Sequence, residues 1–365
     1  MTTKILVRPR GLPSYPVWIG PGALRPALKA LPHKTHAVLF HDSRLRNLAG
    51  KSASLLHRHF SKVDILDVRG GESLKTLEAV GIMASKLTRL GARKNVILVA
   101  LGGGSVGDAI GFLASVYLRG VPWVSLPTTL LAQVDSSIGG KTAVNLREGK
   151  NLVGAFHHPL AVICDPHWLN TLPRQEIMAA MGEVLKYGLA FDPPLLNNTL
   201  RQWMSLESGS MVRLEPLVRD CLRWKSRIVG TDPYERSGQR RLLNLGHTFG
   251  HALETLMAPH LRHGEAVFHG LHAALHLSIL RGHMKLDPSV RKLLEFFETR
   301  PLPPKARSIG APILLRQIHR DKKSTGGRTT FILLKGVSRP VEDSRVPDSL
   351  IAETWTLLTR QGVAF

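Results

Sequence analysis

Short apolar runs alternate with amphipathic stretches through the first half of the chain. Each run is long enough for one buried strand, and each stretch between two runs has helical periodicity. Strands that alternate with helices in this way predict a mostly parallel sheet covered by helices. The runs that we assign to strands are 37–40, 63–68, 95–101, 122–126 and 160–164.

The pattern changes after about Thr171, where long stretches carry apolar residues at helical spacing. The clearest of these are 176–189, 242–257 and 265–281. A β-rich patch at 329–334 predicts a hairpin or a short strand beside the helices. The sequence therefore predicts a Rossmann-like α/β domain with a mostly parallel sheet over residues 1–172 and an all-α domain over residues 173–365.

The composition says little about the fold but narrows the possible classes of function. The 365 residues include 49 Lys and Arg against 27 Asp and Glu, and the resulting net charge of +22 attracts any polyanion. The basic residues are scattered and aromatic residues make up 6%, so the sequence shows no stacking platform for bases. We therefore expect no dedicated nucleic-acid function and keep a basic nucleic-acid-binding protein as the non-enzyme alternative.

Neither the first residues of the chain nor its most apolar region indicates a membrane protein. Residues 1–18 lack the apolar stretch of a signal peptide or anchor, and the most apolar region, 95–118, is interrupted by glycines and Asp108. Cys164 and Cys221 lie far apart and match no metal or redox spacing. These features predict a cytoplasmic protein with two reduced cysteines in its core.

A glycine-rich loop, GGGSVGD at 102–108, follows the apolar run at 95–101 and precedes a helical pattern. In such a junction, backbone N–H groups and the helix dipole bind a pyrophosphate. The loop begins about a hundred residues into the chain, and no acidic residue follows a strand about 20 residues later, unlike a standard dinucleotide fold. Asp42, at the end of an earlier run, is either the partner of a ribose hydroxyl or a simple turn residue.

Histidines at helical spacing indicate a metal site in the second half. The segment LLNLGHTFGHALE at 242–254 is predicted to place Asn244, His247 and His251 along one side of a helix. His263 precedes the next helical stretch, and Glu183 lies near the middle of an earlier one. Two imidazoles and one carboxylate form a typical catalytic zinc set with an open position for substrate oxygens. Spacing alone leaves open whether His251 or His263 is the second histidine ligand.

Seven motifs stand in an order and spacing that rarely arise by chance: GGESLK (70–75), GGGSVGD (102–108), LPTTLLAQVDSSIGGKTAVN (126–145), GKNLVGAF (149–156), GEVLKYG (182–188), LLNLGHTFGHALE (242–254) and HGEAV (263–267). With these motifs the chain resembles the 3-dehydroquinate synthases from about residue 35 to the DKK segment at 321–323. The resemblance implies a dehydroquinate synthase-like fold, a homodimer, and NAD in a cleft between an α/β domain and a helical metal-binding domain.

The resemblance also implies roles for individual residues. A divalent metal, zinc or cobalt, would be held by Glu183, His247 and His263, which leaves His251 beside the metal. The residues implied to contact NAD are Asp42, Glu72, Lys75, Gly104, Ser105, Val106, Asp108, Thr128, Thr129, Lys141 and Lys150. Those implied to contact substrate are Arg119, Asp135, Lys141, Lys150, Asn151, Lys186, Arg240, Asn244, His251 and Lys322, with Lys323 as an alternative to Lys322. Arg119 would reach the substrate phosphate of the partner subunit.

The implied reaction converts 3-deoxy-D-arabino-heptulosonate 7-phosphate to 3-dehydroquinate and phosphate, a step of the shikimate pathway toward chorismate and the aromatic amino acids. NAD would oxidise the substrate transiently, phosphate would be eliminated, and the ketone would be reduced again before an intramolecular aldol reaction closes the ring. The catalytic candidates are Lys141, His251, Asp135 and Asn244. The anionic substrate needs cationic partners, each contributing about 1.5–3 kcal/mol through charge-assisted hydrogen bonds.

Two enzyme classes of similar architecture are alternatives. Other sugar-phosphate cyclases accept glucose 6-phosphate or sedoheptulose 7-phosphate, and metal-dependent polyol dehydrogenases release NADH. The lysines of DSSIGGK (135–141) and GKN (149–151) favour the dehydroquinate branch, because its substrate carries a carboxylate.

The chain departs from the family pattern in three places. Ser105 stands where an apolar residue is expected, and Met181 and Gly182 stand where Leu and Ala are usual. The helical stretch after His263 is rich in histidine, and we expect its extra histidines at exposed positions: His269, His272 and His276.

Overall fold

The structure is a computed structural model that describes residues 2–32, 35–210, 212–323 and 329–360, without the side chains of 321–323. It divides into two compact units. The first comprises Met1–Ile177 and Arg213–Arg236, and the second comprises Met178–Val212 and Ser237–Phe365. The sequence alone placed residues 213–236 in the second domain. They belong to the first unit because their helix packs against its first two strands.

The helices and strands have the following bounds. The strands are β1 (Thr3–Val7), β2 (Tyr15–Ile19), β3 (His36–Asp42), β4 (Lys62–Val68), β5 (Val96–Gly102), β6 (Trp123–Pro127), β7 (Lys141–Leu146), β8 (Gly149–Phe156), β9 (Ala161–Cys164), β10 (Phe331–Leu334) and β11 (Pro340–Asp343). The helices are α1 (Leu24–Lys29), α2 (Arg46–Leu56), α3 (Leu77–Arg89), α4 (Gly104–Val116), α5 (Arg174–Phe191), α6 (Pro193–Glu207), α7 (Leu214–Thr231), α8 (His247–Met257), α9 (His263–Leu280), α10 (Pro288–Glu298), α11 (Pro304–Arg307), α12 (Ala311–Lys323) and α13 (Asp348–Thr359).

A seven-stranded sheet with the order β1-β2-β9-β6-β5-β3-β4 forms the first unit. All neighbouring strands pair in parallel except β1 and β2, which confirms the predicted α/β fold with a mostly parallel sheet. The chain runs from β3 outward to β4 and then returns to place β5 on the other side of β3. The gap between the carboxyl ends of β3 and β5 is therefore a topological switch point, the usual ligand site of such sheets.

Burial on both faces explains why the central strands are continuous apolar runs. In β5, Leu98 and its alternate neighbours pack into a core with α3 and α4, whereas Val99 and its alternate neighbours pack into a second core with α1 and α2. A strand covered on both faces has no side chains that face solvent, so both of its faces are apolar. The five predicted strands are all present, while β1, β2 and the β7–β8 hairpin were not predicted.

The second unit is mainly helical. A core of apolar residues joins α8, α9, α12, α13 and the β10 strand. β10 and β11 pair antiparallel, which confirms the hairpin predicted at 329–334. Within the described residues, no helix combines the length and the apolar character needed to cross a bilayer. Cys164 and Cys221 are both buried, and neither forms a disulfide, as expected.

The helix predicted from residue 242 begins at His247 instead. Residues Gln239–Asn244 form a 3-10 helix, and Gly246 then adopts a left-handed conformation with φ +78°. A Cβ at Gly246 would lie 2.7 Å from the backbone nitrogen of Leu271, so this position requires glycine for space as well as for φ. The prediction that Asn244 shares a helix face with His247 is therefore wrong.

Three histidines of α9 are buried, contrary to the expectation of exposed positions. His269, His272 and His276 are 7%, 7% and 4% exposed. The expectation is wrong because α9 packs against α8, α10, α13 and β10, which together cover most of its surface. The ring of His272 stacks on Phe297 at 5.1 Å between centroids.

Candidate active site

The glycine loop joins β5 to α4 at the switch point. A Cβ at Gly102 would lie 2.6 Å from Val106 Cγ2, and a Cβ at Gly104 would lie 3.0 Å from Ser136 Oγ. These glycines, Asp108 and Lys141 help to line a small cavity at the start of α4, where a helix has N–H groups without partners inside the helix. This geometry suits a pyrophosphate, which needs backbone donors at short range.

Lys75 connects the glycine loop to the β7–β8 hairpin. Its Nζ donates to Asp108 Oδ2 at 2.7 Å and to Asn151 Oδ1 at 2.5 Å. The Asn151 N–H in turn donates to Asn145 Oδ1 at 2.9 Å, and Asn145 Nδ2 donates to Glu72 Oε2 at 2.6 Å. Burial raises the pKa of Asp108 despite the nearby ammonium of Lys75. The network brings together four residues that the sequence assigned separately to cofactor and substrate: Glu72, Lys75, Asp108 and Asn151.

Asp42 ends β3 directly beside the glycine loop, since His41 pairs with Leu101 in the sheet. Its Oδ1 accepts hydrogen bonds from the backbone N and Nε of Arg44 at 3.0 and 2.9 Å, and its Oδ2 accepts one from Nη2 at 2.5 Å. Burial raises the pKa of Asp42, but the contacts with Arg44 outweigh burial and lower it overall. Asp42 thus caps the turn after β3.

Other residues predicted for the cofactor surround the same loop. Ser105 Oγ accepts from the N–H of Gly71 at 2.9 Å, so this departure from the family pattern has a hydrogen-bonding role. The N–H of Thr128 donates to Gly102 O at 2.9 Å, and Thr129 Oγ1 accepts from Ala132 N at 3.2 Å. Val106, also predicted, is buried in the first turn of α4.

Glu183, His247 and His263 converge in the second unit. One ligand atom from each lies within 4.8 Å of the others. The Nε2 atoms of His247 and His263 are 3.3 and 3.2 Å from the same oxygen, Glu183 Oε1. Two imidazole nitrogens and a carboxylate oxygen at one point form a donor set that suits zinc or cobalt. The geometry selects His263 over His251, and His251 is exposed on α8 with its ring 5.2 Å from that of His247.

Two glycines allow this convergence. A Cβ at Gly182 would lie 2.0 Å from the carbonyl oxygen of Gly264, and a Cβ at Gly264 would lie 1.9 Å from that of Ala179. The close approach of α5 and α9 brings the next residue of one helix, Glu183, to the first residue of the other, His263. The second departure from the family pattern, at Gly182, therefore lies in a packing contact.

The second nitrogens of the two histidines are held from outside the triad. His263 Nδ1 lies 2.8 Å from Glu254 Oε2, and His247 Nδ1 lies 3.2 Å from Leu245 O. Acceptors in these positions favour a proton on Nδ1 of each ring, so that Nε2 can bind a metal once it carries no proton. Glu254 was not predicted from the sequence, although it lies two turns after His247 on the same helix face.

Burial and neighbouring charged groups set the pKa values of Glu183, His247 and His263. Burial would raise the pKa of Glu183, but Lys186, whose Nζ is 2.5 Å away, and the two histidines hold it well below its ordinary value. Burial lowers the pKa of His247. Burial would also lower the pKa of His263, but Glu183 and Glu254 raise it to about 10. The carboxylate of Glu183 is therefore charged and ready to bind a cation.

Comparison with known proteins identifies the family. The 3-dehydroquinate synthase N-terminal family matches residues 65–179, and the 3-dehydroquinate synthase C-terminal family matches residues 180–324. The 3-dehydroquinate synthase of Xanthomonas oryzae pv. oryzae is 41% identical over 353 residues, which cover 90% of this chain and 92% of that protein. The chain belongs to the 3-dehydroquinate synthase family. The homologous enzyme of Rhodospirillum rubrum is 38% identical over 365 residues, covering 93% of this chain and 91% of that protein.

Solved structures agree with the family. A 2-deoxy-scyllo-inosose synthase complexed with carbaglucose-6-phosphate, NAD+ and Co2+ has a TM-score of 0.83 at 25% identity, covering 97% of this chain and 99% of that one. A 2-epi-5-epi-valiolone synthase from Streptomyces hygroscopicus with NAD+ and Zn2+ bound has a TM-score of 0.83 at 27% identity, covering 95% and 97%. Glycerol dehydrogenase from Schizosaccharomyces pombe shares the fold alone, with a TM-score of 0.64 at 15% identity and coverage of 93% and 87%.

Two of the residues predicted from the 3-dehydroquinate synthase pattern, Asp135 and Lys141, form ion pairs with other residues of the first unit. Lys225 of α7, 5% exposed, donates to Asp135 O at 2.6 Å and pairs with Asp135 Oδ1 at 2.9 Å. Lys141 is exposed and forms an ion pair with Glu235. Lys225 was not predicted, because nothing in the local helical pattern of α7 indicates that one lysine is buried against a residue 90 positions away.

The other predicted substrate residues are spread over both units. Lys150 is exposed on β8, and Arg119 is exposed with a left-handed φ of 62°. Lys186 and Arg240 are buried, at 2% and 3% exposed, and Asn244 is exposed at the end of its 3-10 helix. Lys322 lies near the end of α12, and its side chain falls outside the described part of the chain.

Proposed function

We propose that this family member converts 3-deoxy-D-arabino-heptulosonate 7-phosphate to 3-dehydroquinate and phosphate, as a carbon-oxygen lyase that depends on NAD and a divalent metal. Its relatives named 3-dehydroquinate synthase support this over more than 90% of their length. The observation that carries the proposal is the shared contact of His247 Nε2 and His263 Nε2 with Glu183 Oε1. A donor set of this kind is built for a metal with an open coordination position.

Zinc or cobalt would be held by Glu183, His247 and His263, and the solved cyclases with Co2+ or Zn2+ support this choice. The metal would supply Lewis-acid polarisation of substrate hydroxyls. Glu254 would fix the ring of His263, and the charge of Lys186 would keep Glu183 ionised.

NAD would bind with its pyrophosphate on the bare backbone of the glycine loop and its adenosine side near Asp42, Glu72 and Lys75. It would accept a hydride and return it, so that the reaction has no net oxidation. The two solved cyclases that contain NAD+ support this assignment. Asp108, whose pKa burial raises, would lie beside the bound cofactor.

The substrate would be held by cationic side chains. Its carboxylate and phosphate would each need charge-assisted hydrogen bonds, and the candidates are Arg119, Lys141, Lys150, Lys186, Arg240 and Lys322, with Asn151 and Asn244 as neutral donors. His251, exposed one turn after His247, would exchange protons with solvent, and Lys225 would hold the carboxylate of Asp135 in place.

We further infer a homodimer in the cytoplasm, in which Arg119 reaches the partner's substrate. Val116 and Leu118, beside Arg119, are 49% and 42% exposed, which supports a surface that a second copy would cover. The two cysteines form no disulfide, which fits a reducing compartment.

The other sugar-phosphate cyclases are the second candidate function. They share the fold at 25% and 27% identity, well below the 41% identity to a 3-dehydroquinate synthase. The polyol dehydrogenases are supported by fold alone.

The test is phosphate release from 3-deoxy-D-arabino-heptulosonate 7-phosphate by the purified protein with NAD and zinc or cobalt. NADH absorbance is followed in parallel, and a chelator removes the metal in a control. Metal-dependent release without lasting NADH, with 3-dehydroquinate as product, is the expected result. Steady NADH accumulation would support a dehydrogenase, and turnover only with glucose 6-phosphate or sedoheptulose 7-phosphate would support another cyclase.

The metal assignment has its own variant. His247→Ala should abolish phosphate release and leave NAD binding mostly intact, because His247 lies in the second unit and the glycine loop lies in the first. His260→Ala, at an exposed histidine of the same unit, is the matched control and should be as active as wild type. Near-normal turnover of His247→Ala would contradict the ligand set.

A further inference from the structure

Asp42 and Arg44 occupy a position that determines cofactor choice in dinucleotide-binding folds. β3 and β5 are neighbours, so Asp42 lies at the same sheet edge as the glycine loop. At the end of such a neighbouring strand, a carboxylate accepts hydrogen bonds from the ribose hydroxyl of NAD, whereas a nearby arginine accommodates the 2′-phosphate of NADP. This chain carries both groups, two residues apart.

Arg44 already uses most of the hydrogen-bonding capacity of Asp42. A carboxylate offers about four lone-pair sites. The backbone N, Nε and Nη2 of Arg44 contact the two oxygens at 3.0, 2.9 and 2.5 Å. The positive charge of Arg44 thereby balances the negative charge that would otherwise repel a 2′-phosphate. Few lone-pair sites of the carboxylate remain for a ribose hydroxyl.

The guanidinium of Arg44 keeps donors for another acceptor. Its side chain is 76% exposed, while that of Asp42 is 4% exposed. A guanidinium has five N–H donors in a rigid fork. Asp42 takes the donor of Nε and one of Nη2, which leaves the donors of Nη1 and one of Nη2, and the negative charge of Glu176 also acts on Arg44. The bidentate pair fixes the orientation of the fork, which matches the geometry of a phosphate.

The adjacent glycine turn connects this pair to the pyrophosphate loop. A Cβ at Gly70 would lie 2.0 Å from Asp42 Oδ2 and 3.2 Å from Arg44 Nη2, so the backbone at 70 lies against the pair. The next residue, Gly71, donates its N–H to Ser105 Oγ in the first turn of α4 at 2.9 Å. One short segment therefore links Arg44 to the loop that would hold the pyrophosphate, as the two ends of one nucleotide require.

We propose that Arg44 binds the 2′-phosphate of an adenine dinucleotide, so that this protein accepts NADP as well as NAD. The proposal rests on the cofactor dependence proposed above and adds a specificity that concerns the adenosine end of the cofactor. The hydride-transfer chemistry is unchanged, because the two cofactors share the nicotinamide.

The test is direct binding of NAD and NADP to the full-length, metal-loaded protein by isothermal titration calorimetry, without substrate. Wild type should bind the two cofactors with dissociation constants within about tenfold of each other. Arg44→Ala should weaken NADP binding about 10- to 100-fold, the effect expected for one charge-assisted contact, and should leave NAD binding unchanged or tighter. Arg44→Lys, which keeps the charge but loses the fork, should fall between wild type and Arg44→Ala.

Arg46→Ala is the matched control. Arg46 lies two residues further on and contacts Asp67 at 3.2 Å, so the variant removes the same charge near the same sheet edge. It should bind both cofactors as wild type does. Equal losses of NADP binding in Arg44→Ala and Arg46→Ala would assign the attraction to the general positive field and overturn the proposal. Binding of NAD but not NADP to wild type would also overturn it and leave the proposed function intact, whereas binding of neither would contradict both.

Discussion

The carboxylate of Glu254 lies 2.8 Å from Nδ1 of His263, at the ring nitrogen that Glu183 does not contact. A carboxylate in this position holds the ring of a metal-binding histidine and increases its basicity. Glu254 is thus a positioning residue for the proposed metal site, reached from α8 while His263 begins α9.

Replacement of Glu254 should therefore lower the affinity of the protein for the metal. We expect Glu254→Gln to lower zinc affinity about 10- to 100-fold, as measured by competition with a chromogenic chelator. Glu295→Gln removes one negative charge from an exposed position of the same unit and should leave the affinity unchanged. Equal zinc affinities for Glu254→Gln and wild type would show that His263 needs no outer partner.

The close contact of α5 and α9 predicts sensitivity to a single methyl group. In Gly264→Ala the new Cβ would lie 1.9 Å from the carbonyl oxygen of Ala179, so the helices must separate. Overpacking of this kind costs about 1–3 kcal/mol, and the shift should also weaken zinc binding because His263 moves with α9. Thermal unfolding and chelator competition measure the two effects.

Gly81→Ala in α3 is the control for that variant. A Cβ at Gly81 meets nothing within 4 Å, and the residue lies in a helix interior. This change should stabilise the protein by about 0.5–1 kcal/mol. A Gly264→Ala protein as stable as wild type would mean that the two helices adjust without cost.

The buried histidines of α9 predict acid sensitivity. Burial lowers the pKa of His269 and of His276 to about 4 and that of His272 well below its ordinary value. Between pH 6.5 and 4 the unfolded chain binds protons that the folded chain excludes, so stability falls as pH falls through this window. His269 and His276 each contribute up to about 3 kcal/mol to the loss. Urea unfolding at pH 7.5, 6.5, 5.5 and 5.0 should therefore show a falling free energy of unfolding.

His269→Met isolates this effect from other titrating groups. The variant should lose less stability between pH 6.5 and 5.0 than wild type, since one proton-binding site of the unfolded chain is gone. His260→Gln, at an exposed histidine, should keep the wild-type slope. Identical slopes for His269→Met and wild type would rule out the contribution of His269.

The buried lysine of α7 predicts a stability effect in the first unit. Lys225→Met removes the ammonium that pairs with Asp135 Oδ1 and supplies no donor in its place. We expect a loss of about 1–3 kcal/mol in the free energy of unfolding, because a partly buried carboxylate loses its partner. Lys51→Met, at an exposed position of α2, should stay within about 0.5 kcal/mol of wild type. A double-mutant cycle with Asp135→Asn that shows no coupling would contradict the pairing.

The sequence by itself determined the elements whose signal is local. Four strands of the parallel sheet, β3, β5, β6 and β9, could be predicted because a strand buried on both faces must be a continuous apolar run. β4 was also predicted from its apolar residues, although it lies at the sheet edge and is partly exposed. The glycine loop could also be predicted, since strand, glycine turn and helix are contiguous. For the proposed metal site, spacing left open whether His251 or His263 is the second histidine, and only the family resemblance favoured His263.

Only the tertiary structure decided which distant residues meet. Asn244 leaves the helix of His247 because Gly246 must fit against α9. Glu254 reaches His263, and Lys225 reaches Asp135, through contacts that no local period encodes. His269 is buried because α9 is covered by its neighbours, and the composition of a helix does not say how many of its faces will be covered. The periodicity of apolar residues predicts which segments form helices or strands, whereas the burial and pairing of side chains depend on where separate elements pack.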